Sequence, residues 1–344
     1  LRVDDFDYYL PPHLIAQQPA AERDLSRLMV LHREPFALEH RLFKDLPEYL
    51  SAGDCLVLNQ SKVIPARLWA VKEPGGGRVE VLLLHQVENN VWEALVRPGR
   101  KVPSGTVLVF GSGEQRIRGQ VREKTASGGR VILFDCHRPL LEVLGELGSL
   151  PLPPYIKEEP VDPNRYQTVY AKTPGSVAAP TAGLHFTPRL LEQLQDKGVH
   201  IVRLILHVGL GTFRPVQVAE VEKHTMHAEY YELEAEAAQV INEVKSSGRG
   251  RVIAVGTTST RCLESVAAPD GTVCPGKGFT DIFIYPGYRF KVIDGLITNF
   301  HLPRSTLLML VSALAGREKI LAAYQEAVRL SYRFFSFGDA MLII

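Results

Sequence analysis

Five short segments concentrate histidine, hydroxyl and amide side chains in a pattern that suggests chemistry. They are GSVAAPTAGLHF (175–186), HVGLGTFRPV (207–216), HTMHAEYY (224–231), GTTSTR (256–261) and TNFHLPRST (298–306). Histidine gives and takes protons near neutral pH, so His185, His207, His224, His227 and His301 form a candidate acid/base pool. In GTTSTR, three hydroxyl residues meet a helix start, where free amides and the helix dipole favour an anion or carboxylate. Arg261, one turn in, could add a bidentate contact. Simple capping by Thr258 or Ser259 would explain the same residues. Gly209 and Gly211 could let a ligand approach the backbone closely, or could only form a tight turn. His224 and His227 with Glu229 resemble a metal-ligand set, but the spacing is not HExxH, and a hydrogen-bonding or proton-transfer role fits better. Asn299 and His301 lead into an apolar helix, so a partner or a substrate must satisfy them. Thr181, Thr212, Arg214, Thr257, Thr258 and Ser259 complete the ligand-facing candidates.

The flanking elements must hold these segments. From about residue 165 onward strand and helix signals alternate. TPRLLEQLQDKG has Thr187 as N-cap, Pro188 at the first helical position and Gly198 as stop. VHIVRLILHVG (199–209), RVIAVG (251–256) and FTDIFIYPG (279–287) read as strands. EAEAAQVINEVKSSG (234–248), STRCLESVA (259–267) and STLLMLVSALAG (305–316) read as helices. Four of the five segments then sit where strand-end loops build a ligand crevice in an open α/β sheet. The small residues of 175–186, stiffened by Pro174 and Pro180, form a preorganised wall holding His185.

The N-terminal part differs. LPEYLSAGDCLVLN (46–59) predicts a short helix, a Gly-Asp turn and a buried strand. Residues 63–135 are short β-rich runs broken by Gly, Pro and Ser, which predicts a small antiparallel barrel or sandwich. A helix and a proline-stiffened passage over 141–156 read as a domain crossing. The expected architecture is a mixed-sheet α/β domain, 1–62 and 152–344, interrupted by an inserted small antiparallel β-barrel, 63–151.

The net charge of +1 neither demands nor excludes a polyanionic partner. Between Lys62 and Asp135, however, twelve Lys and Arg face seven Asp and Glu. That surplus marks either a solvated face or a phosphate-contacting one. Four scattered cysteines without a CxxC pair point to a reducing, cytoplasmic setting. Acid stands in LRVDDFDYYL where a targeting peptide carries base, and the longest apolar run is too short to span a bilayer.

Taken together, SVAAPTAGLHFT, HVGLGTFRPV, HTMHAEYY, VIAVGTTSTRCLE, DIFIYPGYRFKVIDGLITNFHLPRSTLLMLVSALAG and YRFFSFGDAMLI resemble the S-adenosylmethionine:tRNA ribosyltransferase-isomerases of queuosine biosynthesis. So do DFDYYLPPHLIAQQPAAERDLSRLMVL, LVLNQSKVIPARL, WEALVRPGRK and LPLPPYI, so the resemblance spans the chain in order. LNQSK stands where LNDTR is usual, which keeps a cation at Lys62 and loses an acid at Gln60. The resemblance implies transfer and isomerisation of the ribosyl part of S-adenosylmethionine onto 7-aminomethyl-7-deazaguanine at the tRNA wobble position. The product is epoxyqueuosine, and adenine and methionine leave. It also implies a two-domain monomer acting on tRNA with a GUN-type anticodon. S-adenosylmethionine serves as co-substrate, and no metal, other cofactor or membrane takes part. Lys62, Arg67, Arg97, Arg100 and Lys101 are then the RNA-contacting candidates. Tyr285, Tyr288, Phe290, Phe334, Phe335 and Phe337 are candidates for base stacking, with core packing as the alternative. A non-catalytic tRNA-binding module and a His/Glu metal hydrolase are the rival functions.

Overall fold

The computed structural model describes residues 1–125, 128–153, 155–158, 162–209 and 216–344. Its strands are β1 Arg27–Arg33, β2 Phe36–Leu42, β3 Cys55–Asn59, β4 Ser61–Val63, β5 Arg67–Glu73, β6 Arg78–Glu88, β7 Val91–Arg97, β8 Val107–Phe110, β9 Ile117–Lys124, β10 Arg130–Asp135, β11 Thr173–Ser176, β12 His200–Leu206, β13 Glu229–Leu233, β14 Val252–Val255, β15 Gly276–Thr280, β16 Gly295–Asn299 and β17 Ala340–Ile343. Its α-helices are α1 Leu140–Leu147, α2 Pro188–Asp196, α3 Ala235–Ser247, α4 Gly256–Ser265, α5 Thr306–Ala315 and α6 Arg317–Arg329. The chain divides into two compact units: Leu1–Ser61 with Pro154–Thr173 and Ala179–Ile344, and Lys62–Pro153 with Pro174–Ala178.

The first unit is built on a nine-stranded mixed sheet in the order β15-β13-β12-β3-β14-β16-β17-β1-β2. β12, β3, β14 and β16 are mutually parallel, so their carboxyl ends share one edge. β17 runs antiparallel to β16 and parallel to β1, so Ala340 and Arg27 begin their strands at that same edge. All five residues of β3 are buried because both faces of the sheet are covered. On one face, Leu190, Leu191 and Leu194 of α2 pack with Phe43, Leu46 and Phe186 onto Leu28, Leu56, Leu58, Ile253, Ile297 and Leu342. Each such burial contributes roughly 1.5–3 kcal/mol. On the central strands, α3 and α4 pack as well. Thr187 caps α2 by accepting from the Leu190 amide at 3.2 Å, as its sequence predicts.

Three local expectations change. Residues Phe43–Glu48 form a 3-10 helix containing Pro47, in place of an α-helix from residue 46. The helix expected from 259 begins at Gly256, whose φ of 88° turns the chain from β14 directly into α4. The strand expected over 279–287 ends at Thr280. Beyond it, side chains take the backbone groups: Thr280 Oγ1 accepts from the Ile282 amide at 3.2 Å, and Arg261 Nε donates to the Ile282 carbonyl at 3.2 Å.

The second unit is a closed six-stranded antiparallel barrel, β10-β7-β6-β5-β8-β9. Inward Leu68, Ala70, Val79, Val81, Leu108, Phe110, Val121, Ile132 and Phe134 are buried, alternating with outward polar residues. Closure resolves the barrel-or-sandwich alternative and leaves no unpaired edge. All four cysteines are free thiols, and burial pushes Cys55 and Cys262 up to about 12. Among the described residues, no helix is long and apolar enough to cross a membrane.

Candidate active site

The shared carboxyl edge of the parallel strands opens into a small cleft, with a cavity of about 50 Å³. Its wall takes Thr181 and Ala182 from the 3-10 turn Thr181–His185, Val208 after β12, Thr257 and Thr258 from α4, Asn299 at the end of β16 and His301 just beyond it. Four of the five sequence segments therefore meet in one place. Phe335 and Ser336 join from the segment entering β17.

Hydrogen bonds fix the back of the cleft. Thr181 Oγ1 donates to Asn299 Oδ1 at 3.0 Å, and Asn299 Nδ2 donates to His185 Nε2 at 3.1 Å. His185 Nδ1 must then carry the proton, which it donates to Ser26 Oγ at 2.7 Å. Ser26 Oγ in turn donates to the Arg23 carbonyl at 3.2 Å. Both imidazole nitrogens are spoken for, and Phe43 stacks on the ring at 5.0 Å. Burial, with repulsion from Arg23 and Arg333, lowers the His185 pKa to about 3. His301 is likewise buried and lowered to about 3, with Nε2 on Thr298 Oγ1 at 2.8 Å. Its backbone is held by Tyr324, whose hydroxyl accepts from the His301 amide at 3.0 Å, and by Tyr8, which donates to its carbonyl. Both histidines are neutral at physiological pH. Both belong to the expected acid/base pool, and the structure holds them as fixed hydrogen-bonding groups.

The start of α4 presents donors. No side chain caps it, so capping by Thr258 or Ser259 does not occur. Ser259 Oγ and Thr260 Oγ1 instead turn back onto the Val255 and Gly256 carbonyls, at 2.7 and 3.2 Å, which takes Ser259 out of the ligand-facing set. Thr257 and Thr258 remain in the cleft wall, together with Gly256. Asn59, at the end of β3, braces this turn: Nδ2 donates to the Leu206 carbonyl at 2.8 Å and to Thr258 Oγ1 at 3.4 Å.

Arg261 is committed elsewhere. Its Nη1 pairs with Glu229 Oε2 in a buried ion pair, and its Nε bonds the Ile282 carbonyl. Only Nη2 lacks a partner, so the expected bidentate grip on a ligand carboxylate is not available. Glu229 Oε1 accepts from the Gly209 amide at 2.9 Å. The carboxylate, rather than a ligand, is what approaches that glycine, and Glu229 is not open to complete a metal site with His224 and His227. Among the described residues, no three His, Cys, Asp or Glu side chains come together as a metal-binding group. His227 is exposed, and His224 is half-buried against Phe283 at 5.3 Å, its pKa lowered by burial and by His227. Neither lines the cleft. His207 stacks on Tyr230 at 5.7 Å and is lowered to about 4 by burial, with Glu232 opposing. Its Nδ1 is buried without a hydrogen-bond partner among the described residues. Gly211, Thr212 and Arg214 lie outside the described residues.

The small residues of 175–186 serve packing as well as access. A Cβ on Gly183 would fall 2.0 Å from the Tyr170 hydroxyl, so internal closeness rather than a ligand demands glycine there. Of the aromatic candidates, Phe334 and Phe337 are core residues, Phe335 lines the cleft, and the Tyr288 hydroxyl donates to Glu264 at 3.1 Å. Tyr285 and Phe290 are half-buried. Lys62, Arg97, Arg100 and Lys101 are exposed on the barrel unit. Arg67 is not free for RNA: it pairs with Glu80 at 3.3 Å and donates to the Leu152 carbonyl at 3.4 Å. Sequence reading missed Ser26, Asn59, Tyr8 and Ser336. Only Asn59, a polar residue closing the apolar run CLVL, carried a local signal.

A mixed α/β sheet with a cleft of apolar and neutral polar residues at its carboxyl edge and a closed β-barrel insert defines an α/β protein of two units. The chain belongs to the family described as queuosine biosynthesis protein, whose model matches residues 3–343. It is 60% identical over 344 residues to the S-adenosylmethionine:tRNA ribosyltransferase-isomerase of Desulforamulus reducens, covering 100% of both chains. It is 61% identical over 345 residues to the protein of that name from Moorella thermoacetica, again with 100% of both covered. The crystal structure of the S-adenosylmethionine tRNA ribosyltransferase from Thermotoga maritima is similar at 41% identity and a TM-score of 0.56, covering 99% of this chain and 100% of that one.

Proposed function

We propose that this chain is an S-adenosylmethionine:tRNA ribosyltransferase-isomerase. It moves the ribosyl part of S-adenosylmethionine onto 7-aminomethyl-7-deazaguanine at the wobble position of a GUN-type tRNA, forms epoxyqueuosine, and releases adenine and methionine. It works as a cytoplasmic monomer with S-adenosylmethionine as co-substrate. The α/β part, 1–62 and 152–344, carries the chemistry, and the insert 63–151 contributes RNA contacts through Arg97, Arg100 and Lys101, joined by Lys62 at its boundary. One observation carries the reading: the loops after three parallel strands, β12, β14 and β16, converge with the segment 179–182 on one cleft whose polar groups are neutral hydrogen-bonding side chains in a largely apolar wall. Such a wall can hold a cationic sulfonium nucleoside without repelling it.

The sulfonium acidifies the neighbouring ribose carbon, and a base removes that proton. We assign the base to His207, which precedes the cleft residue Val208 without itself lining the cleft; its ring is unprotonated at neutral pH and its buried Nδ1 has no partner among the described residues. Thr181 and Asn299, set by His185, and Thr257 and Thr258 at the head of α4 hold ribose hydroxyls and the methionine carboxylate. His301 offers a fixed hydrogen bond to the departing purine.

The test is to incubate the protein with labelled S-adenosylmethionine and precursor tRNA and to measure free adenine and methionine. Both should appear in equal amounts. His207→Asn should lower kcat by about 10²–10⁴-fold while leaving S-adenosylmethionine binding within a few-fold. Binding of tRNA without any adenine release would favour the non-catalytic module instead, and a full-rate His207→Asn would remove His207 from the base role.

A further inference from the structure

Arg130 opens β10 and is 5% exposed. Its guanidinium faces four backbone carbonyls: Nε donates to Val102 at 2.6 Å, Nη2 to Gly99 at 2.7 Å, and Nη1 to Gly129 at 2.8 Å and Gly128 at 3.1 Å. No carboxylate pairs with it among the described residues. A buried charge without a counter-ion is costly unless its donors are met, and here four of a guanidinium's five donors are. Two of the acceptors, Gly99 and Val102, bracket the short 3-10 turn Gly99–Lys101. With those carbonyls drawn inward, Arg97, Arg100 and Lys101 stand exposed around the turn, and none of them has an ion pair among the described residues. Arg97 sits opposite Glu80 across β6 and β7, but Glu80 is engaged by Arg67. Three other barrel arginines differ: Arg116 and Arg118 share Glu73, and Arg138 is held by Glu146, whereas Arg122 is exposed on β9 without an ion pair among the described residues and Arg78 lies over Trp69.

We propose that Arg130 is the positioning residue of a phosphate clamp for tRNA. It fixes the Gly99–Val102 turn from beneath so that Arg97, Arg100 and Lys101 meet backbone phosphates, and its uncompensated charge strengthens the positive field at the same spot. This rests on the proposal that tRNA is the substrate, and it assigns a function to a buried residue that touches no RNA itself. Because phosphate contacts release counter-ions, the signature is a salt dependence.

Binding of the precursor tRNA is measured by fluorescence anisotropy across a series of salt concentrations. The triple variant Arg97→Gln, Arg100→Gln, Lys101→Gln should weaken binding at least about tenfold at moderate salt and flatten the log K versus log salt slope by about two to three. Arg130→Lys keeps the charge but cannot bracket four carbonyls. It should weaken binding about three- to tenfold and flatten the slope by about one, the loss falling on KM for tRNA rather than on kcat. Parent-like affinity and slope in Arg130→Lys, beside a weakened triple variant, overturn the role of Arg130 and leave the exposed cations standing. A parent-like triple variant overturns the clamp while tRNA turnover still reports on the proposed reaction. Should Arg130→Lys not fold, hydrogen exchange on the unaltered protein decides. The Lys101 and Val102 amides, which donate to Pro98 and Gly99, should be protected before tRNA is added. Protection that appears only with tRNA would contradict a turn held in advance.

Discussion

His185 and His301 lie within hydrogen-bonding networks that use them as neutral rings, and this has a measurable consequence for stability. Burial holds each folded pKa at about 3, with Arg23 and Arg333 adding repulsion at His185. In the unfolded chain both titrate near 6.5. Above that pH neither site changes stability. Below it the unfolded chain takes up protons that the native state refuses, so stability falls as pH drops from 6.5 toward 3, by about 1.4 kcal/mol per pH unit and per site. Ordinary carboxylates stay ionised down to about pH 5, so the histidines dominate the window above it. Denaturant unfolding should show the pair costing about 4 kcal/mol by pH 5, with His207, lowered to about 4, adding to the fall in the same window, and His301→Gln should remove about half of the pair's share. A flat profile between pH 6.5 and 5 would mean that the rings protonate freely in the fold.

At the scale of elements, α4 connects the cleft to its surroundings. Its first turn supplies Thr257 and Thr258, its middle supplies Arg261 for Glu229, and its last turn supplies Glu264. Glu264 is 2% exposed and accepts from the Lys291 amide at 2.9 Å, the Val292 amide at 3.0 Å, the Ile293 amide at 3.2 Å and the Tyr288 hydroxyl. This one carboxylate holds the segment that leads into β16, and β16 ends at Asn299. Glu264→Ala leaves several buried amides without an acceptor and should destabilise the unit by about 3 kcal/mol, read as a lowered denaturation midpoint. A change below about 0.5 kcal/mol would show that water replaces the carboxylate. The same side-chain capture explains why FTDIFIYPG, strand-like by composition, leaves the sheet after Thr280.

At the scale of the whole molecule, the last strand lies inside the larger sheet. β17 sits between β16 and β1, pairing Ile297 with Leu342 on one side and Val30 with Leu342 on the other. Ala340, Met341, Leu342 and Ile343 are all fully buried. Removing residues 340–344 takes from β16 and from β1 one of their two neighbours, splits the sheet and bares the core. That loss exceeds the margin of about 5–15 kcal/mol that holds a domain folded. Calorimetry of the truncated chain should show no cooperative transition for this unit, whereas Leu342→Ala should keep one, lowered by about 3 kcal/mol. A truncated chain that melts like the parent would refute the structural importance of β17.

Much of this was legible in order along the chain. Alternating strand and helix periods place 207–216, 256–261 and 298–306 at the ends of β12, β14 and β16, and parallel strands bring those carboxyl ends to one edge, so a shared cleft follows; 175–186, read the same way, instead follows β11, which pairs with β4 outside that sheet, and lines the cleft through the turn Thr181–His185. The short β-rich runs of residues 63–135, broken by Gly, Pro and Ser, likewise specify a small β structure. Local pattern could not show that Glu229 takes Arg261, 32 residues away, or that Ser26 meets His185 from 159 residues away. Nor could it show that the C-terminal strand carries Phe335 and Ser336 to the cleft. Those pairings depend on sheet order and on burial. Sequence periodicity reports which face of an element is apolar, whereas the partner and the protonation state of a polar group are set by what the closed fold packs against it.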